Sequence, residues 1–340
     1  MRTLLVLASL LAVVPIGAAA WAPGVRTADV SIAATGDIAM APSSDGGASF
    51  FTRIRGSLKG DAVVGNLEGT LALDGSPKCR SNQSNCFAFR APPSYARVLR
   101  RAGFTLLNLA NNHAFDYGTT GSKETVAALD RAGLLHTGRR GEGAFADADG
   151  ITMGFVGFAP YPWAQDLREI AAAKRIVRAT DSFADVVVVT MHAGAEGPDH
   201  AHVRPGTETY LGEDRGNTVA FAHAVVEAGA DLVIGSGPHV LRGFEWYRGR
   251  LIAYSLGNFL GDGTLSIDGI LAVSAVLQVR LHRDGSWSGG KLVPVRLVRP
   301  GLPTPDREKE AFKVVRGLSR ADFGRRGVRI SPTGTLVPPR

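Results

Sequence analysis

Three of the eight histidines stand just after apolar, β-branched runs, the position from which a strand hands a side chain to a site at a sheet edge. Phe104 to Leu109 leads into Asn111-Asn112-His113, with Asp116 three residues on. Val186 to Met191 ends at His192, followed by Gly194 and Glu196, and Asp231 to Gly235 ends in Ser236-Gly237-Pro238-His239. Carboxylates arrive the same way. Val30 to Thr35 delivers Gly36-Asp37, and Asp61 to Gly65 delivers Asn66-Leu67-Glu68-Gly69. Taken singly, each residue has a structural explanation, because Asn and Asp favour helix caps and turns. Together they put imidazoles and carboxylates at the ends of five predicted strands, which is what a metal site assembled from several loops on one edge of a sheet needs. Asp116 stands open between capping the next helix and orienting a histidine. Asn258, after the run Tyr254-Ser255-Leu256-Gly257, reads first as a turn-stabilising amide, with a ligand role left open by its position after a strand.

The elements that must hold these residues follow from periodicity. Helical spacing or Gly and Pro boundaries predict helices over 50–58, 94–102, 122–132, 165–179, 217–228 and 306–318. Residues 243–256 read as a β-hairpin, and 270–281 and 291–298 as two further strands. Early strand–helix alternation and late hairpins predict an α/β chain with two mixed sheets flanked by helices. Residues 196–215, rich in Gly, Pro, His and Asp, read as a loop over the site, with His200 and His202 as mobile surface histidines. The expected organisation is a signal peptide over 1–20, a main domain over 29–262, strands over 263–298 that complete it, and a basic, solvated tail over 299–340.

Arg2, the apolar stretch from Leu4 to Ile16 and the small residues Ala18-Ala19-Ala20 have the layout of a secretory signal, shorter than the roughly 20 residues of a membrane span. Export is the expectation, with an uncleaved N-terminal anchor as the alternative. Cys79 and Cys86 are the two cysteines, and in an exported chain their polar spacing reads as a small disulfide-closed surface loop. A net charge of +7 suits an anionic partner. The basic residues are not interleaved with aromatics as in single-strand binders, so no nucleic acid is expected.

The ordered motifs Gly36-Asp37, Asn66-Leu67-Glu68-Gly69, Asn111-Asn112-His113 with Asp116-Tyr117-Gly118, His192-x-Gly194-x-Glu196, Pro238-His239-Val240 and Tyr254 to Phe259 resemble the CapA family, linked in bacteria to synthesis or export of capsular poly-γ-glutamate. That family resembles calcineurin-like metallophosphoesterases. The resemblance implies a four-layer α/β/β/α sandwich with one or two divalent ions, Mn, Mg, Fe or Zn. It implies Asp37, Glu68, Asn112, His192 and His239 as metal ligands. His113 is implied as the proton-transferring group, with Asp116 and Glu196 as its catalytic or orienting partners. Two histidines of the phosphoesterase pattern are absent: Ala39 and Gly237 stand in their places. Three functions remain on this reading. They are a metal-dependent hydrolase-like protein of anionic-polymer biogenesis working beside membrane-bound synthesis or export machinery, an extracytoplasmic phosphoesterase, and a non-catalytic polymer-binding assembly factor.

Overall fold

A computed structural model describes residues 29–80 and 86–339. The predicted signal peptide lies outside the described residues. Strands β1 (Asp29–Ile38), β2 (Ala62–Leu67), β3 (Leu106–Asn108) and β4 (Leu135–Thr137) run parallel and begin one sheet. The chain then builds a second sheet from β5 (Ala144–Ala148), β6 (Ile151–Phe158), β7 (Val186–His192), β8 (Leu232–Ser236), β9 (Phe244–Tyr247) and β10 (Arg250–Ala253). Its order is β9-β10-β8-β7-β6-β5, parallel except at the antiparallel edges. Finally β11 (Asn258–Leu260), β12 (Val273–His282), β13 (Trp287–Val298) and β14 (Leu302–Pro305) return to the first sheet. There β12 pairs antiparallel with the first half of β1, and β11 pairs parallel with its end.

Continuous apolar runs such as Val186 to Val189 form these central strands because both faces of a parallel sheet are covered. Ile32, Val64 and Leu106 of the first sheet pack against Phe155, Val188 and Ile234 of the second. On the outer face of the first sheet, Val63 and Leu107 meet Leu99 and Leu129 from helices α1 (Tyr95–Ala102) and α2 (Gly118–Ala132). On the outer face of the second, Val187 and Val233 meet Val177 and Phe221 from α3 (Ile170–Asp181) and α4 (Thr218–Val226). This is the expected four-layer sandwich. Among the described residues no helix is long and apolar enough to cross a membrane.

Two expectations give way. Residues 50–58 form turns and one short 3-10 turn at Arg55–Ser57, not a helix. Phe50, Phe51, Ile54 and Leu58 are buried as the pattern requires, but the segment follows a turn in which Asp45 accepts from the main-chain N–H groups of Gly47 and Ser49. The segment over 299–340 is not a solvated tail. Helix α5 (Glu310–Phe323) places Ala311, Phe312 and Val315 in the inter-sheet core, joined by Val328, Ile330 and Leu336. The i, i+1, i+4 spacing of 311, 312 and 315 was a core-facing stripe hidden among arginines and lysines.

The inter-sheet layer sets the geometry of everything at its edge. Phe155→Ala, at its centre, is expected to cost about 3–5 kcal/mol of stability, read as a lowered urea midpoint at unchanged slope. A loss below about 1 kcal/mol would mean that this ring does not join the sheets.

Candidate metal centre

All the parallel strands of one sheet point the same way, so their C-terminal ends share one edge. Register does the rest. Asp37 stands beside Asn66 and Asn258, and Asn66 beside Asn108 in the first sheet, while His192 stands beside Ser236 in the second. Gly36 lets β1 approach closely, since a Cβ there would collide with the Gly257 carbonyl, and the Asp37 N–H donates to that carbonyl at 2.9 Å.

The two edges meet over Asp37, Glu68 and His239, each of which offers a ligand atom within 4.8 Å of the others'. His239 Nδ1 lies 3.3 Å from Asp37 Oδ2, and its Nε2 lies 3.6 Å from Glu68 Oε1 and 3.7 Å from Glu196 Oε2. His192 Nε2 and His113 Nε2 are each 3.9 Å from the same Glu68 oxygen. Asp37, Glu68 and His192 are fully buried. Among the described residues, both Glu68 oxygens and His192 Nε2 lack a hydrogen-bond partner. A buried carboxylate without donors is costly, so a polar site of this kind fits a cation. Carboxylate oxygens and imidazole nitrogens are the donor set for a borderline or hard divalent ion.

Electrostatics agree. Burial pushes the Glu68 carboxyl well above its usual range, with the neighbouring carboxylates of Asp37 and Glu196 adding to the rise. Burial opposes a charge on His239, yet Glu68, Asp37 and Glu196 outweigh it and lift the imidazole to about 10. Burial would also raise Asp37, but the adjacent imidazoles hold it far below its ordinary value. Glu196, buried too, is lowered by His239 and by Arg215, whose Nη1 lies 2.7 Å from Glu196 Oε1.

The sequence-derived residues do not all take the same part. Asn112 flanks the cluster, its Oδ1 buried without a partner and its carbonyl accepting from Lys78 Nζ at 3.1 Å. Asp116 orients His113, with Oδ2 2.7 Å from Nδ1, and the first turn of α2 carries no side-chain cap. Lys78 Nζ lies 2.6 Å from Asp116 Oδ1, and the Phe89 N–H donates to Asp116 Oδ2 at 2.6 Å. The Phe89 ring stacks on His113 at 4.3 Å. The Cys79–Cys86 disulfide joins the two segments that bring Lys78 and Phe89. Asn258 is more than a turn amide: its Oδ1 lies 2.8 Å from His239 Nδ1. His202 is not a free surface histidine, since its Nδ1 lies 2.6 Å from Asp322.

Sequence reasoning missed Asn66, Asn108, Asn111, Lys78 and Arg215. The asparagines share a signal, an amide at or just past the ends of neighbouring predicted strands. Arg215 gave none, lying far along the loop. The two absent histidines also acquire a reason in part. Gly237, at φ 108°, donates its N–H to Asp37 Oδ2 at 3.2 Å, and a Cβ there would come within 3.0 Å of the Ala193 nitrogen and 3.2 Å of the His192 ring. Ala39 is completely buried.

A cavity of about 400 Å³ opens over the cluster, lined by Phe87, Phe89, Tyr210 and Leu271 among others, with His113, Glu196 and His239 at its base. Among the described residues that line it there is no lysine or arginine.

This architecture is that of the metallophosphoesterase-type α/β sandwiches. A phosphatase from Mycoplasma pneumoniae superposes with a TM-score of 0.50 at 10% identity, covering 85% of this chain and 100% of that one. Residues 31–263, more than half of the chain, match the family described as bacterial capsule synthesis protein PGA_cap, and the chain belongs to that family. It is 31% identical over 268 residues to the capsule biosynthesis protein CapA of Bacillus anthracis, covering 72% of this chain and 60% of the relative. It is 28% identical over 249 residues to the PGA biosynthesis protein CapA of Bacillus subtilis, covering 66% and 59%. The chain thus spans about 60% of the length of these curated relatives.

Burial lowers the His113 pKa, Asp116 raises it and the Lys78 charge lowers it. In the metal-free protein, Lys78→Met should therefore raise the His113 pKa and Asp116→Asn should lower it, followed by NMR titration of the ring protons. Shifts of the same sign in both variants would show that the Lys78–Asp116 pair does not act on this ring.

Proposed function

We propose that the chain is an exported, metal-dependent hydrolase-like enzyme of capsular polymer biogenesis, acting on an amide-linked anionic chain such as poly-γ-glutamate beside the membrane machinery that makes or exports it. The observation that carries the chemistry is Glu68, a fully buried carboxylate with no hydrogen-bond donor and three imidazoles around it at the base of an open cavity. A divalent cation bound there supplies Lewis-acid polarisation of a carbonyl or phosphoryl oxygen. Asp37, Glu68 and His239 would hold it.

The protein's own groups divide the remaining work. His113 keeps Nδ1 engaged with Asp116, so Nε2 is the nitrogen that exchanges a proton with a group entering the cavity. Phe89, stacked on that ring, and Asp116 fix its plane. Glu196 is held by Arg215 at the cavity base. The lining favours an uncharged scissile group: apolar and aromatic side chains suit an amide, whereas a phosphomonoester dianion is normally clamped by arginine or lysine. The net charge of +7 suits the flanking carboxylates of an anionic polymer.

The test incubates the Mn-loaded full chain with poly-γ-glutamate and, separately, with p-nitrophenyl phosphate, beside Glu68→Ala. Shortening of the polymer with release of amino groups, about a hundredfold above the variant, is the expected result. Cleavage of the phosphate ester alone would make the chain a phosphoesterase. Polymer retention without cleavage of either would make it an assembly factor.

A further inference from the structure

Two stretches of the chain, residues 46–60 and 75–115, contain no Asp or Glu, yet they carry three and six lysines or arginines. The fold lays parts of both side by side on the outer face of the first sheet. The Phe50 ring meets the Tyr95 ring of α1 at 5.4 Å, and at the other end of the helix a Cβ on Gly103 would come within 2.6 Å of the Leu58 carbonyl oxygen. Helix α1 buries Tyr95, Ala96, Val98, Leu99 and Ala102. Arg97, Arg100 and Arg101 are left exposed at i, i+3 and i+4, within an arc of about 100° on the opposite side. Arg53, Arg55 and Lys59 are exposed on the neighbouring segment. Like charges at this helical spacing repel one another. Among the described residues, none of these six side chains has a hydrogen bond or ion pair. The carboxylates at the margin are engaged elsewhere: Asp45 with the Gly47 and Ser49 N–H groups, Asp61 with Ser31, Glu124 with the Leu73 N–H and Asp130 with His136.

A recess of about 400 Å³ adjoins this face, lined by Arg97 of α1, Arg131 of α2 and the apolar Leu73, Pro92 and Pro93. Arg131 is exposed and, among the described residues, unpaired as well. Leu73 is pinned by its main chain: its N–H donates to Glu124 Oε2 at 2.7 Å and its carbonyl accepts from Arg90 Nη1 at 3.0 Å, while the residue stays 69% exposed. Unpaired guanidiniums beside fixed apolar side chains suit a ligand whose carboxylates are spaced along methylene segments. A planar bilayer does not enter such a recess, whereas a flexible chain does. The recess also lies next to the metal cavity. Phe89 lines the cavity and Pro92 the recess, three residues on, so their Cα atoms are at most about 11 Å apart. Among the described residues the cavity is lined without lysine or arginine, so the flanking units of an anionic chain find their cations outside it.

We propose that the α1 face and its recess form a binding site for a polycarboxylate chain, with Arg97 and Arg131 taking carboxylates in the recess and Arg100 and Arg101 extending the track along the helix. The identity of the ligand rests on the anionic-polymer reading above, and the site itself on the unpaired guanidiniums. A chain held there has a neighbouring stretch free to enter the metal cavity. Contacts made this far from the reacting bond are the same in ground and transition states, so they enter KM and not kcat.

The experiment follows binding of fluorescently labelled poly-γ-glutamate to the full chain by anisotropy, with chelator present so that the polymer stays intact, and separately its cleavage by the Mn-loaded chain. The triple variant Arg97→Gln, Arg100→Gln, Arg101→Gln is expected to bind about tenfold more weakly than wild type, the scale of a few exposed ion pairs, with a shallower dependence on salt. The triple variant Lys313→Gln, Arg316→Gln, Arg320→Gln removes the same charge from exposed positions on α5 and should stay within about twofold of wild type, since net charge alone is not the site. In cleavage, the α1 variant should raise KM about tenfold at unchanged kcat. Equal losses in the two variants, undiminished affinity in the α1 variant, or no binding by wild type would overturn the proposal. Capture of phosphatidylglycerol vesicles, and not of the polymer, through the same arginines would overturn it in favour of a membrane-docking face. Polymer bound through these arginines but never cleaved would uphold the site while the hydrolase reading falls. Cleavage with KM unchanged in the α1 variant would leave the hydrolase reading standing without the site.

Discussion

Glu68 places a carboxylate at the junction of two sheet edges where, among the described residues, no N–H or O–H reaches either oxygen. Left alone, such a group would be driven to take a proton, and burial pushes it that way. The surroundings deepen the problem, because Asp37 and Glu196 add further negative charge within reach of the same imidazole, His239. Without a metal, that imidazole carries the balancing charge, which is why its pKa stands near 10 although burial opposes it. A divalent cation would take over this task with ligands already in place. The cluster is thus arranged around a charge deficit, and its function follows from what fills it.

Holding carboxylates this close requires a rigid frame, and asparagines provide it. Asn66, Asn108 and Asn111 form a buried ladder whose ends are fixed by main-chain groups of Leu67, Ala110 and His113. A second frame lies in the loop over the site. Buried Arg242 pairs with Glu208 at 2.6 Å and donates to the Ala195 carbonyl, while Glu208 accepts the Ala195 N–H, fixing the backbone beside Glu196. His239 itself sits at φ 61°, a conformation costing an ordinary residue of order 1 kcal/mol, and its Nδ1 is held 2.8 Å from Asn258 Oδ1.

The strand ends carried most of what could be read in advance. Asp37, Glu68, His192 and His239 each follow an apolar run, and a parallel sheet cannot do otherwise than bring such ends to one edge. The layers were legible for the same reason. What was hidden depended on register and on contacts across long stretches of chain. Nothing near Asn66 says that it will stand level with Asp37 and Asn108, and nothing near Lys78 says that its ammonium will meet Asp116. Residues 50–58 had the burial of a helix but, apart from Arg55 N–H to the Phe51 carbonyl, only the i→i−3 bonds of successive turns, because periodicity reports which side chains are covered and not how the backbone is satisfied. Arginines and lysines disguised α5 as solvated chain, although its few apolar residues close the end of the inter-sheet core.

The two missing histidines and the amide ladder belong to one arrangement. At Gly237 the backbone turns back with a positive φ against the His192 ring, so a side chain there would have to push His192 aside. The freed N–H binds Asp37 Oδ2, and Asn66 takes Asp37 Oδ1, so both oxygens of that carboxylate are steadied by neutral donors. The same Asn66 amide stands 3.2 Å from His192 Nδ1, so one side chain spans the edges of both sheets at the site.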